Sequence, residues 1–176
     1  MWGQDGPEGT EMWRELSNST TVPLATGERL YARWQFQDMI ATRAVQIVQP
    51  DLIQAGGIWE CRKIAAMAES KSIAVAPHCP FGPVALAASL HLDATIPNFL
   101  VQEQTAMGDG MLVAPFRVDD GGYISIEQIA SPGLGIEIDE VALEALLFDG
   151  YEPREAGKGP PRELMYPMED GSVAEW

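Results

Sequence analysis

The chain has 176 residues, 46% hydrophobic and 21% charged, long enough and apolar enough for a globular core. Its formal net charge of -15 argues against nucleic acid or an anionic membrane surface as a partner. No apolar run approaches the ~20 residues of a membrane span, and the opening MWGQDGPEGTEMW has neither the basic start nor the apolar stretch of a secretory signal. Cys61 and Cys79 form no metal-type pair, so reduced thiols and a cytoplasmic location are expected.

Residues 7–20 carry a helical pattern, with Pro7 suited to a first turn and Met12 and Leu16 on one face. Val22 to Ala25 is a short apolar run closed by Thr26-Gly27-Glu28, which predicts a strand with Glu28 at its end. Leu30 to Ala41 is amphipathic and predicts a helix. Ala44 to Val48 predicts a second strand, stopped by Pro50-Asp51, and Gln54 to Gly57 predicts a turn. Ile58 to Ser70 predicts a helix burying Cys61, Ile64, Ala65 and Ala68. Ile73 to Ala76 predicts a third strand, ended by Pro77-His78, and Pro83 to Asp93 a further helix. Phe99 to Val101 predicts a fourth strand, ended by Gln102-Glu103. Beyond it, Met111 to Val118 and Tyr123 to Ile126 flank Asp119-Asp120-Gly121-Gly122 and predict a hairpin. Asp139 is suited to cap a helix over Glu140 to Leu147. From Gly150 onward Pro, Gly and charge dominate, as in a surface-wrapping or partly disordered tail.

The repeating unit is strand, polar terminal residue, loop, helix. Glu28, Asp51, His78 and Glu103 close successive units at intervals of about 25 residues, close to the ~30 per βα unit of an eight-stranded barrel. Short, nearly all-apolar strands fit parallel strands buried on both faces, and right-handed crossovers set the four polar termini on one rim. Carboxylates there suit a hard cation such as Mg²⁺. A histidine beside an aspartate suits a general base. Together they match a known pattern: a proton is removed beside a carboxylate, and a metal ion holds the resulting enediolate. Each residue also has a plain structural role open to it. Glu28 and Glu103 fit solvated loop carboxylates, Asp51 fits a turn cap, and His78 fits a hydrogen-bonded structural histidine. His91, inside a helical pattern, reads as structural. Cys79 should point away from His78, since neighbours on a strand face opposite ways.

The segments PLATGERLYARWQF, IVQPDLIQAGGIWECRKIAAMAE, VAPHCPFGPVALAASLHLDA and PNFLVQEQ, with the final DGSVAEW, resemble the mandelate racemase group of the enolase superfamily, in particular its sugar-acid dehydratases. The resemblance is strongest over residues 7–103. It implies an α/β fold, the C-terminal half of a (β/α)8 TIM-type barrel. Residues 1–104 would form the partial barrel, and 105–176 an extension with a hairpin, a short helix and an irregular tail. Glu28, in GER, would be the third of three Mg²⁺ carboxylates. Asp51, in QPD, would orient His78. His78, in APHCP, would take the proton from C2 of a sugar-acid substrate. Glu103, in QEQ, would hydrogen-bond the substrate carboxylate as it becomes the enediolate. Loss of the 3-hydroxyl would then give a 2-keto-3-deoxy acid. A homo-oligomer is implied for the full-length enzyme.

The same resemblance sets out what is missing. The family's first two metal carboxylates and its histidine acid belong to strands preceding Glu28, and its N-terminal capping domain is not found here. GQDGPEG lacks the family's Glu-Glu-Pro pattern, and residues 107–118 differ from the family's segment. Four βα units leave the strands ending at Glu28 and Glu103 with open edges. The expectation is a marginal, aggregation-prone or dimeric fragment with little dehydratase activity alone. The alternatives are a non-catalytic half-barrel acting by association, or a related aldonate dehydratase or racemase.

Overall fold

A computed structural model of the chain describes residues 10–145 and the backbone of 166–167 and 173–174. The chain divides into two compact units, Met1–Ala145 and Leu146–Trp176. In the second, β4 (Tyr166–Pro167) and β5 (Val173–Ala174) pair antiparallel. The rest of the tail, and the sequence-based reading of it, lies outside the described residues, as do Pro7 and GQDGPEG.

In the first unit, β1 (Ala25–Thr26), β2 (Ile47–Val48) and β3 (Ala74–Val75) form a parallel sheet in that order. Right-handed crossovers need helices between such strands. These are α2 (Ala32–Thr42) between β1 and β2, and α3 (Leu52–Ala55) with α4 (Gly57–Glu69) between β2 and β3. α1 (Thr10–Ser19) precedes the sheet, and α5 (Pro83–Asp93) follows it. The row Thr26, Val48 and Val75 is buried, whereas Ala25, Ile47 and Ala74 are less so. Val48 and Val75 of this row meet Phe36, Met39, Ile40, Ile64 and Ala65 from α2 and α4 in one core. A second core joins Leu86 and Ala87 of α5 to Leu112, Phe116 and Ile129, which ties the 105–145 stretch onto α5.

Several expectations are corrected. The fourth strand contracts to one parallel bridge, Val75 with Phe99. Val75 N–H donates to Asn98 O and Leu100 N–H to Val75 O. The next ladder bond would need an N–H at position 77, and Pro77 has none. The Gln102 side-chain amide instead donates to Pro77 O at 3.2 Å. The hairpin likewise contracts to a Val118–Ile124 bridge around an Asp119 turn. Pro115 interrupts the earlier arm, and Val113 N–H donates to Glu137 O. Residues 126–129 coil into a 3₁₀ turn, and α6 (Glu140–Ala145) starts with Asp139 Oδ1 accepting from Ala142 N–H. In α1, Met12 and Leu16 face solvent, and Trp13 packs on the core instead. The expected turn at Gln54 is in part the short helix α3.

Candidate active site at the strand ends

The register of β2 against β3 builds the centre of the site. Ile47 pairs with Ala74, Val48 with Val75 and Asp51 with His78, one constant offset carried past the strand ends. His78 N–H donates to Pro50 O, which keeps the two backbones together. His78 Nδ1 therefore lies 2.8 Å from Asp51 Oδ2. The other oxygen, Asp51 Oδ1, accepts from Ile53 N–H at 2.7 Å and Gln54 N–H at 3.1 Å, capping α3. The cap and the histidine contact, which the sequence left as alternatives, coexist on one carboxylate.

Burial runs in a gradient through this pair. The Asp51 side chain is 1% exposed, His78 16%, and Glu28 and Glu103 each 45%. The imidazole thus has one edge in the protein and one at an opening. A carboxylate only accepts hydrogen bonds, so Asp51 fixes the proton on Nδ1 and leaves the lone pair on Nε2. Nε2 is flanked by Glu28 Oε2 at 3.7 Å and Glu103 Oε2 at 3.9 Å. All four rim residues named from the sequence meet here.

Local structure delivers each carboxylate. Gly27, at φ +128°, turns the chain out of β1 and presents Glu28. Its Leu30 N–H to Gly27 O bond closes the turn. Glu103 is held by Cys79 N–H, which donates to its Oε2 at 3.0 Å. This backbone contribution of Cys79 escaped the sequence reading, as did the Gln102 amide on Pro77 O, because each has a backbone partner about 25 residues away. The Cys79 thiol is buried away from solvent, and burial pushes its pKa up, so it is a poor nucleophile.

Mg²⁺ takes about six oxygen ligands, several usually from water and substrate. Glu28 offers one carboxylate, and the described residues hold no group of three side chains suited to a metal ion. These residues alone do not make a metal site, and no chemical step is assigned to one.

A parallel βα array with an Asp–His pair at the ends of its strands is the arrangement of α/β enzymes, barrels among them. Residues 6–142 match the family model described as Enolase C-terminal domain-like. The chain belongs to that family, and its fold is the C-terminal half of a (β/α)8 barrel. It is 42% identical over 178 residues to a D-galactonate dehydratase of Xanthomonas axonopodis pv. citri (strain 306), covering 96% of this chain and 44% of that one. A D-galactonate dehydratase of Variovorax paradoxus (strain S110) is 42% identical over 181 residues, with the same coverage. The chain spans 44% of the length of these relatives. Among solved structures, an enolase from Agrobacterium radiobacter, a candidate galactarate dehydratase with Na and L-malate bound, superposes with a TM-score of 0.78 at 32% identity. That match covers 97% of this chain and 44% of the other. A mandelate racemase/muconate lactonizing enzyme from Sulfitobacter sp has a TM-score of 0.73 at 38% identity, covering 83% and 37%.

Proposed function

We propose that the chain carries the proton-abstraction machinery of a sugar-acid dehydratase acting on D-galactonate to give its 2-keto-3-deoxy product. The observation that carries this reading is the 2.8 Å contact between buried Asp51 and His78 Nδ1. His78 Nε2 takes the proton from C2, alpha to the substrate carboxylate. Asp51 steadies the imidazolium that results. Glu103, fixed by the Cys79 N–H, hydrogen-bonds the substrate carboxylate as it gains enediolate character. The enediolate then expels the 3-hydroxyl as water, with the proton for the leaving oxygen supplied by an acid outside this set of residues, and the enol ketonises to the 2-keto-3-deoxy acid. Mg²⁺ dependence belongs to the same reading, with Glu28 as this chain's one contribution and the other ligands from elsewhere. So does a cytoplasmic setting, where Cys61 and Cys79 remain free thiols.

The test is deuterium uptake at C2 of D-galactonate in D₂O, followed by NMR, with 2-keto acid formation measured beside it. We expect His78→Asn to lower C2 exchange by roughly 10²–10⁴-fold, the usual contribution of a positioned general base. Exchange retained in that variant would remove His78 from the role. A second reading, a non-catalytic unit acting by association, draws on the lack of a metal-binding group among the described residues. Absence of both exchange and product in the unsubstituted chain would favour it.

A further inference from the structure

The stretch after the fourth strand is held to the loop after β3 by side chains rather than by a backbone ladder. Along residues 77–80 the backbone has few donors to offer. Pro77 and Pro80 have no N–H, and His78 N–H is taken by Pro50 O. Cys79 N–H is the donor left for the 102–105 side. Each backbone group that faces this side meets a different side chain. Gln102 Nε2 donates to Pro77 O at 3.2 Å, Cys79 N–H donates to Glu103 Oε2 at 3.0 Å, and Thr105 Oγ1 donates to Pro80 O at 3.0 Å. Phe81 O lies 3.3 Å from the same hydroxyl. These bonds continue the pairing past Leu100 N–H and Val75 O, where the backbone contacts stop.

Glu103 is the middle member of the set, and its own contact is a weak hold by itself. Its side chain is 45% exposed, and an exposed glutamate gives up much rotamer freedom when it is fixed. One bond from Cys79 N–H offsets that loss only where the glutamate backbone already stands at the right place. Gln102 and Thr105 supply this condition. They clip the backbone one residue before Glu103 and two residues after it. Between two fixed points the Glu103 backbone has little travel. The side-chain conformation that reaches Cys79 N–H is then the one that brings Oε2 to 3.9 Å from His78 Nε2.

The two clips have different anchors. Gln102 is half-buried and acts as a donor alone, to Pro77 O and to Glu103 O, with no partner for its Oε1 among the described residues. Thr105 is exposed, yet its hydroxyl turns back onto Pro80 O. Water would serve an exposed hydroxyl almost as well, so this bond adds little to stability. What it adds is position. Pro80 and Phe81 lead into α5, whose Leu86 and Ala87 lie in the second core. The Thr105 clip is therefore fastened to a fixed element.

We infer that Gln102 and Thr105 are positioning residues, which set Glu103 Oε2 beside His78 Nε2 by clipping the 102–105 backbone to Pro77 O and Pro80 O. The inference rests on the reading of Glu103 as the group that meets the substrate carboxylate. A hydrogen bond that strengthens as the enediolate forms is sensitive to small displacements, and a shift of about 1 Å costs up to ~10²-fold in rate. Loss of a clip should therefore appear in kcat and leave KM nearly unchanged, because the contact matters most in the transition state.

Amide hydrogen exchange read by NMR on the full chain tests the geometry without turnover. Cys79 N–H reports the Glu103 contact, and His78 N–H, bonded to Pro50 O, reports the rest of the loop. Thr105→Val keeps the shape without the hydroxyl, Gln102→Met keeps the length without the amide, and Glu103→Ala gives the value for a lost contact. We expect Thr105→Val and Gln102→Met each to speed Cys79 exchange about tenfold, the scale of one hydrogen bond, with His78 exchange unchanged. Thr105→Ser should restore the protection. Unchanged Cys79 exchange in either variant overturns the inference for that residue. Acceleration at Cys79 and His78 together overturns it too, since the residues then support the loop in general. In the same proteins kcat for C2 exchange should fall by roughly 10–10²-fold at constant KM, and an unchanged kcat beside a faster Cys79 amide also counts against the role. No C2 exchange in the unsubstituted chain would remove the sugar-acid reading instead, and the amide data would still decide whether the clips place Glu103.

Discussion

Asp51 holds two jobs on one carboxylate, and a single substitution separates them. Asparagine keeps an oxygen for Ile53 and Gln54, and it caps helices about as well as aspartate. Its amide, however, donates to His78 Nδ1 where Asp51 accepts. The imidazole then carries its proton on Nε2, the atom that has to receive one. We expect Asp51→Asn to lower C2 exchange by roughly 10³–10⁴-fold, the scale seen when a histidine base is left in the wrong tautomer. Stability should change by less than about 1 kcal/mol, since the cap persists. Urea unfolding alongside the exchange assay reads both quantities. A large loss of stability with little loss of exchange would make Asp51 a cap alone.

At the scale of elements, the turn leaving β1 is the most demanding piece of backbone near the site. Gly27 sits at φ +128°, where side chains are strained, and a Cβ there would come within 2.8 Å of Phe36 Cε1. Phe36 is fully buried in the core that α2 shares with α4, so its ring cannot step aside freely. Gly27→Ala should cost about 2 kcal/mol from strain and overpacking together, lowering Tm by roughly 4–8 °C for a chain of this size. It should also displace Glu28 from His78. An unchanged Tm would show that the turn relaxes without the core. The helices of this array were easier to read from sequence than its strands. α5 begins at Pro83 and ends at Asp93 as expected, because proline marks a first turn and the apolar pattern is unbroken. Cys61, Ile64, Ala65 and Ala68 are buried on α4 as the 3.6-residue period requires. The strands shrink to two residues each because pairing depends on partners far along the chain. Pro77, legible as a stop, gave no sign that the Gln102 side-chain amide would donate to its carbonyl. The four rim residues were legible by position and chemistry. The Thr105 contact with Pro80 O was not, because no local pattern links a hydroxyl to a carbonyl 25 residues earlier.

For the molecule as a whole, stability should depend on pH through one carboxyl far along α5. Both oxygens of Asp93 are buried without a hydrogen-bond partner among the described residues. Burial alone pushes its pKa from 3.8 up to about 8. The folded chain therefore keeps a proton that the unfolded chain has released over the window between those two values. Stability falls as pH rises through that window, because deprotonation favours the state in which the carboxylate reaches water. The remaining acidic surface acts elsewhere on the scale. Mutual repulsion among those carboxylates is common to the unsubstituted chain and Asp93→Asn, so it cancels when the two are compared. Comparison with Asp93→Asn isolates the carboxyl, since the amide is neutral throughout and nearly the same shape. We expect Tm of the unsubstituted chain to drop between pH 5 and pH 8.5 relative to Asp93→Asn, with the variant the more stable at the alkaline end. A difference between the two that stays constant across this range would mean that Asp93 is ionised in the fold and reaches water or a partner.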